Sequence, residues 1–88
     1  MKLTQPCLLM TIVDQEVDWA MLVAPGEEWT EETVSSYCDT FDSDGIYGYP
    51  VMMDDPNLKH GIVNRIIESL NSALVEYKPL EIPGVFKL

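Results

Sequence analysis

From Leu3 to Leu58 the chain contains no lysine and no arginine. All five basic residues, Lys2, Lys59, Arg65, Lys78 and Lys87, lie outside that stretch. A surface without cations cannot neutralise phosphates, which argues against direct contact with nucleic acid or an anionic membrane. Long apolar runs are also missing: none approaches the roughly 20 residues that span a bilayer. Cysteine is scarce, with only Cys7 and Cys38, and they form no metal-binding spacing. There is one histidine, His60, with no nucleophile or second ligand at a useful spacing, so it reads as a surface histidine. No G-x-S-x-G, P-loop, G-x-G-x-x-G or H-E-x-x-H is present, and no catalytic residue, metal site or cofactor is expected.

The cation-free stretch holds twelve carboxylates: Asp14, Glu16, Asp18, Glu27, Glu28, Glu31, Glu32, Asp39, Asp42, Asp44, Asp54 and Asp55. With 47% hydrophobic residues the chain is nonetheless a folding sequence and not an acidic disordered tail. Its 88 residues make one domain, 1–88. A chain this short buries about 60–65% of its unfolded surface and has little room for an internal active-site cavity. A surface function, or a site completed by a second chain, is therefore favoured. Lys2 and the apolar run Cys7 to Val13 imitate a signal peptide, but the run ends at Asp14 without a small-residue cleavage site. It reads as structure, and a cytoplasmic protein with reduced thiols is expected.

Cys7 to Val13 is nearly continuous apolar sequence, as in a strand covered on both faces. Val17, Trp19, Met21 and Val23 alternate with Asp18, Ala20, Leu22 and Ala24, so the two runs form an antiparallel hairpin whose turn type is open. Thr30 is placed as an N-cap, with Glu31 and Glu32 in the first helical turn and an apolar stripe Val34, Tyr37, Cys38, Phe41. Trp29, one residue before the cap, has the position of a hydrophobic staple toward Val34 or Thr33. Gly48 and Pro50 demote the run 46–53 to an edge strand or extended loop. Asp55-Pro56 starts a second helix with a broad apolar face through Tyr77, and Lys78-Pro79 stops it.

The expected fold is therefore α+β. A small, mainly antiparallel sheet (7–14, 17–24, with 46–53 and 82–88 as short additions) is packed by helices 30–42 and 56–77 in two layers. Its predicted core is Leu9, Ile12, Val13, Trp19, Met21, Val23, Val34, Cys38, Phe41, Ile62, Ile66, Leu70 and Leu74.

Thr40 to Tyr47 resembles part of an EF-hand loop, with Asp42, Asp44 and Gly45 at its third, fifth and sixth positions. Thr40 and Val51 occupy the first and twelfth, which removes two carboxylates, so the segment reads as an Asx-type turn with Gly45 left-handed. The acids are more informative as a set. Soluble surfaces ordinarily mix signs, and unpaired carboxylates repel one another. A retained one-sign field points to a cationic counterpart. The expected contact residues are Glu27, Glu28, Glu31, Glu32, Asp39, Asp42 and Asp44, with Tyr47 and Tyr49 on the adjoining Gly/Pro segment as aromatic anchors. The expected partner is a basic protein surface of the kind that holds nucleic acid, and the protein itself a non-enzymatic inhibitor. In size and charge the chain resembles small acidic phage or mobile-element proteins that block restriction or CRISPR nucleases. The alternative is a structural or regulatory subunit of a homo- or hetero-oligomer that docks through apolar and aromatic surface, a homodimer included.

Overall fold

The computed structural model describes residues 1–51 and 62–88. In order along the chain they form β1 (Cys7–Val13), β2 (Glu16–Val23), α1 (Glu31–Phe41), β3 (Tyr47–Pro50), α2 (Ile62–Leu74), a short 3-10 turn (Pro79–Glu81) and β4 (Phe86–Lys87). The strands make one antiparallel sheet in the order β2-β1-β3-β4. The α+β class, the hairpin and the two helices agree with the sequence pattern. The start of the second helix at Asp55-Pro56, and His60, lie outside the described residues.

The layering differs from the two-layer expectation. Leu9 belongs to a cluster packed by Val34, Tyr37 and Cys38 of α1, whereas Met10 belongs to one packed by Ile66, Leu70 and Leu74 of α2. Adjacent strand residues point to opposite faces, so the helices cover opposite sides of the sheet and the domain has three layers. The near-continuous apolar composition of β1 has its cause here: Cys7, Leu8, Leu9 and Met10 are all buried. Thr11 is fully buried too, and its hydroxyl has no partner among the described residues. Such an orphan costs on the order of 1–3 kcal/mol.

A bulge alters the reading of β2. Thr11 pairs with Trp19 but Ile12 pairs with Val17, leaving Asp18 as the inserted residue. Val17 is thereby turned away from Trp19, Met21 and Val23 and joins the α2 cluster. Its N–H donates to Asn71 Oδ1 at 2.7 Å, tying β2 to α2. The strands are joined by Asp14 and Gln15, both at positive φ (52° and 66°), the geometry of a type I′ turn.

β3 is not an edge strand: it pairs with β1 on one side and β4 on the other. Gly48 is what permits this. The Phe86 ring lies over it, and a Cβ there would come within 2.3 Å of the ring. Pro50 lies beyond the two-residue reach of β4, where no partner on that side needs its N–H. The C-terminal segment contributes only Phe86 and Lys87 as strand, with Ile82 buried under the sheet. α2 ends at Leu74 and not at Tyr77, and Val75 to Tyr77 form a turn on Ala73 O. Val13, placed in the predicted core, is exposed at the hairpin tip, while Leu3, Trp29 and Ile46 are buried.

Gln15 holds a left-handed conformation without the amide of asparagine or the freedom of glycine. Gln15→Gly removes that strain, about 1 kcal/mol, partly offset by greater unfolded-chain entropy. The expected gain of about 0.5 kcal/mol raises Tm by roughly 2–4 °C for a domain of this size. A calorimetric scan showing a lower Tm than the parent contradicts the turn geometry.

Candidate functional site

α1 carries most of the acidic candidates. It begins where Thr30 Oγ1 accepts from the N–H of Thr33 at 3.2 Å, the N-cap expected from the sequence. It has no fully buried residue and is held to the sheet by an aromatic cluster. Trp19 stacks on Phe41 at 4.5 Å between centroids and lies 5.6 Å from Tyr37, which in turn lies 5.0 Å from Trp29. Such pairs contribute about 0.5–1.5 kcal/mol each beyond area burial. Trp29 and Val34 pack in the same cluster, as the staple position implies.

Successive helical residues turn by about 100°. Glu31, Glu32, Ser35 and Asp39 therefore fall within an arc of about 100°, while Thr33, Ser36 and Thr40 occupy the other flank with hydroxyls alone. Asp42 caps the C-terminus in the left-handed region (φ 51°), and Ser43 N–H donates to Cys38 O. The left-handed residue of this turn is thus Asp42 and not Gly45. Gly45 lies under the end of the Lys87 side chain, where a Cβ would come within 2.6 Å of Cε unless that flexible chain moved.

Glu27, Glu28, Glu31, Glu32, Asp39, Asp42 and Asp44 are all exposed. Glu27 and Glu28 lie in the loop before α1, which is pinned by backbone hydrogen bonds between residues 1–3 and 26–29. Asp18 neighbours Trp19, and Trp19 stacks on Phe41, so the hairpin acids stand at the end of the sheet toward which α1 runs. Glu31 and Asp44 line a cleft of about 370 Å³ whose walls include Trp29, Val34, Cys38 and Leu88. Among the described residues the one ion pair of the acidic loop is Met1 amino group to Glu28 Oε1, at 3.5 Å.

The helix dipole distinguishes these acids. Glu31 and Glu32 stand in the first turn, where negative charge is favourable. Asp39 and Asp42 stand at the negative end, where it is not, and the last turn has no basic residue. Residues 1–51 as a whole carry ten acids against Lys2. Residues 62–88 carry Glu68, Glu76 and Glu81 against Arg65, Lys78 and Lys87 and are balanced.

Tyr47 and Tyr49 do not join the acids. Both are half-buried in the α2-side cluster, on the opposite face of the sheet. Tyr49 lies against Ile66, Leu70 and Ile82 in a small cleft, and Lys87 Nζ stands 5.8 Å above the Tyr47 ring. The alternation along β3 could have indicated this side, but only once the register with β1 was known.

Asp42 and Asp44 bring no third ligand with them: among the described residues no three His, Cys, Asp or Glu side chains converge as a metal site. Both cysteines are free thiols. Cys7 is buried, its Sγ donates to Gln5 O at 3.4 Å, and burial pushes its ionisation above the ordinary 9.0. Among the described residues no helix is long and apolar enough to cross a membrane. No protein-family model, curated protein or solved structure matches the chain.

Raising the folded thiol above its unfolded value means the native state holds the proton longer. That stability is fully present below about pH 9 and is lost as pH rises through the folded value. Alkylation of Cys7 by iodoacetamide should therefore proceed only through opening, with Tm declining above pH 9. Rapid native-state labelling of Cys7 at neutral pH contradicts its burial.

Proposed function

We propose that this protein is a non-enzymatic binding module, a cytoplasmic inhibitor that lays its acidic face on the cationic, nucleic-acid-holding surface of another protein. The observation that carries this reading is the row of uncompensated carboxylates on α1, kept even at the helix end where the dipole disfavours them. Glu31, Glu32, Asp39 and Asp42 occupy about 16 Å of helix axis at 1.5 Å per residue. Their three gaps average about 5.5 Å, sparser than the one charge per 3.4 Å of a single nucleic-acid strand and far sparser than a duplex. The row therefore substitutes best for one strand in a groove. The cleft beside it, with apolar walls and Glu31 and Asp44 among its lining residues, suits the aliphatic stem and charged head of an arginine or lysine from the partner. Binding of this kind is fast and salt-sensitive. A phage or mobile-element inhibitor of a restriction or CRISPR nuclease is the biological setting in which such a mimic is useful.

The test is capture from host lysate by the parent and by the triple variant Glu28→Lys, Glu32→Lys, Asp39→Lys, followed by competition with single-stranded DNA. The parent should retain a nucleic-acid-binding protein that single-stranded DNA displaces and that added salt releases. The variant should lose it at least tenfold, about 1.4 kcal/mol, while keeping a cooperative unfolding transition. Undiminished capture by the variant, or capture indifferent to DNA and salt, refutes the reading.

A further inference from the structure

A sheet in the order β2-β1-β3-β4 has two edges. β4 has two residues and offers little to pair with. β2 has eight, none of them lysine or proline, the residues that ordinarily guard an edge. Its hairpin end is blunted by the bulge at Asp18 and by Asn71, which occupies the Val17 N–H. The stretch from Trp19 to Val23 has neither device.

The pairing register decides which groups of that stretch face outward. Val13 and Glu16 close the two-residue turn as a hydrogen-bonded pair, so Thr11, Leu9 and Cys7 bond across the hairpin to Trp19, Met21 and Val23. Leu8 and Met10 turn instead to Tyr49 and Tyr47 of β3. The N–H and C=O of Ala20 and Leu22 therefore point away from the sheet, and among the described residues they have no partner.

We infer that this edge takes an extended segment of the partner protein as a fifth strand, with basic residues alternating with apolar ones. Outward N–H and C=O groups at strand spacing are matched by another extended backbone. Side chains of such a segment alternate between the two faces. On the α1 face they meet the half-buried rings of Trp19, Tyr37 and Phe41, which favour a cation. On the α2 face they meet Ala20 and Leu22, the latter 37% exposed, which suit an apolar residue. Asp18 stands at one end of the stretch, and Glu27 and Glu28 follow the other. Lys2, bridged to Glu28, is the one lysine or arginine of residues 1–51. A second copy of this chain, with net charge −10 and the same acids on its own edge, is repelled where a basic segment is drawn in. The sign of the partner rests on the acidic-face reading; its docking through the backbone is additional.

The probe is the synthetic peptide Lys-Val-Lys-Val-Lys-Val-Lys, compared with the same peptide N-methylated at every peptide bond, which keeps the charge and removes the donors. Amide hydrogen exchange of the full chain is read by NMR. Without peptide, the Ala20 and Leu22 amides should exchange at least tenfold faster than that of Met21. The peptide should slow them at least tenfold, and the N-methylated peptide should not. Leu22→Pro removes an outward donor and no bond to β1. It should weaken peptide binding and lysate capture at least tenfold, with folding verified by far-UV circular dichroism; the peptide comparison needs no substitution at all. Peptide binding that leaves Ala20 and Leu22 exchange unchanged, equal binding by the N-methylated peptide, or protection of these amides that grows with protein concentration alone overturns the edge site. Capture lost in the Glu28, Glu32, Asp39 triple variant but kept in Leu22→Pro refutes the edge and leaves the acidic-face reading intact. Capture kept in both refutes both.

Discussion

Burial of β1 on both sides is the constraint on which this structure depends. Leu8, Leu9 and Met10 are consecutive and almost completely inaccessible, so each face of the strand needs its own cover. Among the described residues one helix serves each face. α1 covers one side through an aromatic cluster and α2 the other through Leu70 and Leu74. Neither helix can be lost without opening half of the core.

The same constraint separates the charges. The acid-rich first part of the chain supplies α1 and the loops around it, and the balanced last part supplies α2 and its flanks. Because the helices lie on opposite faces, an asymmetry along the sequence becomes an asymmetry in space. Within about 10 Å of the surface at moderate salt, a cationic side chain approaching α1 meets several carboxylates at once. One approaching α2 meets mixed signs. The acids are also expensive where they stand, since repulsion among them and the dipole at the C-terminal end of α1 both oppose folding. Under the proposed function that cost is offset by the binding the field makes possible.

Local signals made much of this legible in the sequence. The Thr30 cap, the α1 stripe from Val34 to Phe41, the β1–β2 hairpin and the Leu70 and Leu74 face of α2 each depend on spacing within one element. What escaped depends on partners distant in sequence. The bulge at Asp18 turns Val17 to the other face, and no feature of β2 alone announces it. Gly48 looked like a strand breaker because the ring that fills its space belongs to Phe86, 38 positions on. Trp29 and Ile46 sit in loop-like sequence and are buried only because the sheet and α1 meet around them. Proximity along the chain groups Tyr47 and Tyr49 with the acids, and the sheet places them on the other side. The acidic contact residues were readable as a set. Their division between the two ends of the α1 dipole, and the cleft joining Glu31 to Asp44, required the fold.

The central claim is that negative potential is concentrated on the α1 side of a rigid three-layer scaffold. Paramagnetic relaxation of backbone amides by a cationic nitroxide, compared with a neutral one of the same size, measures it residue by residue. The account predicts strong excess relaxation by the cationic probe along residues 27–44 and much less along the α2 residues 65–73. Equal enhancement around the whole molecule, or an excess that follows α2, would contradict it.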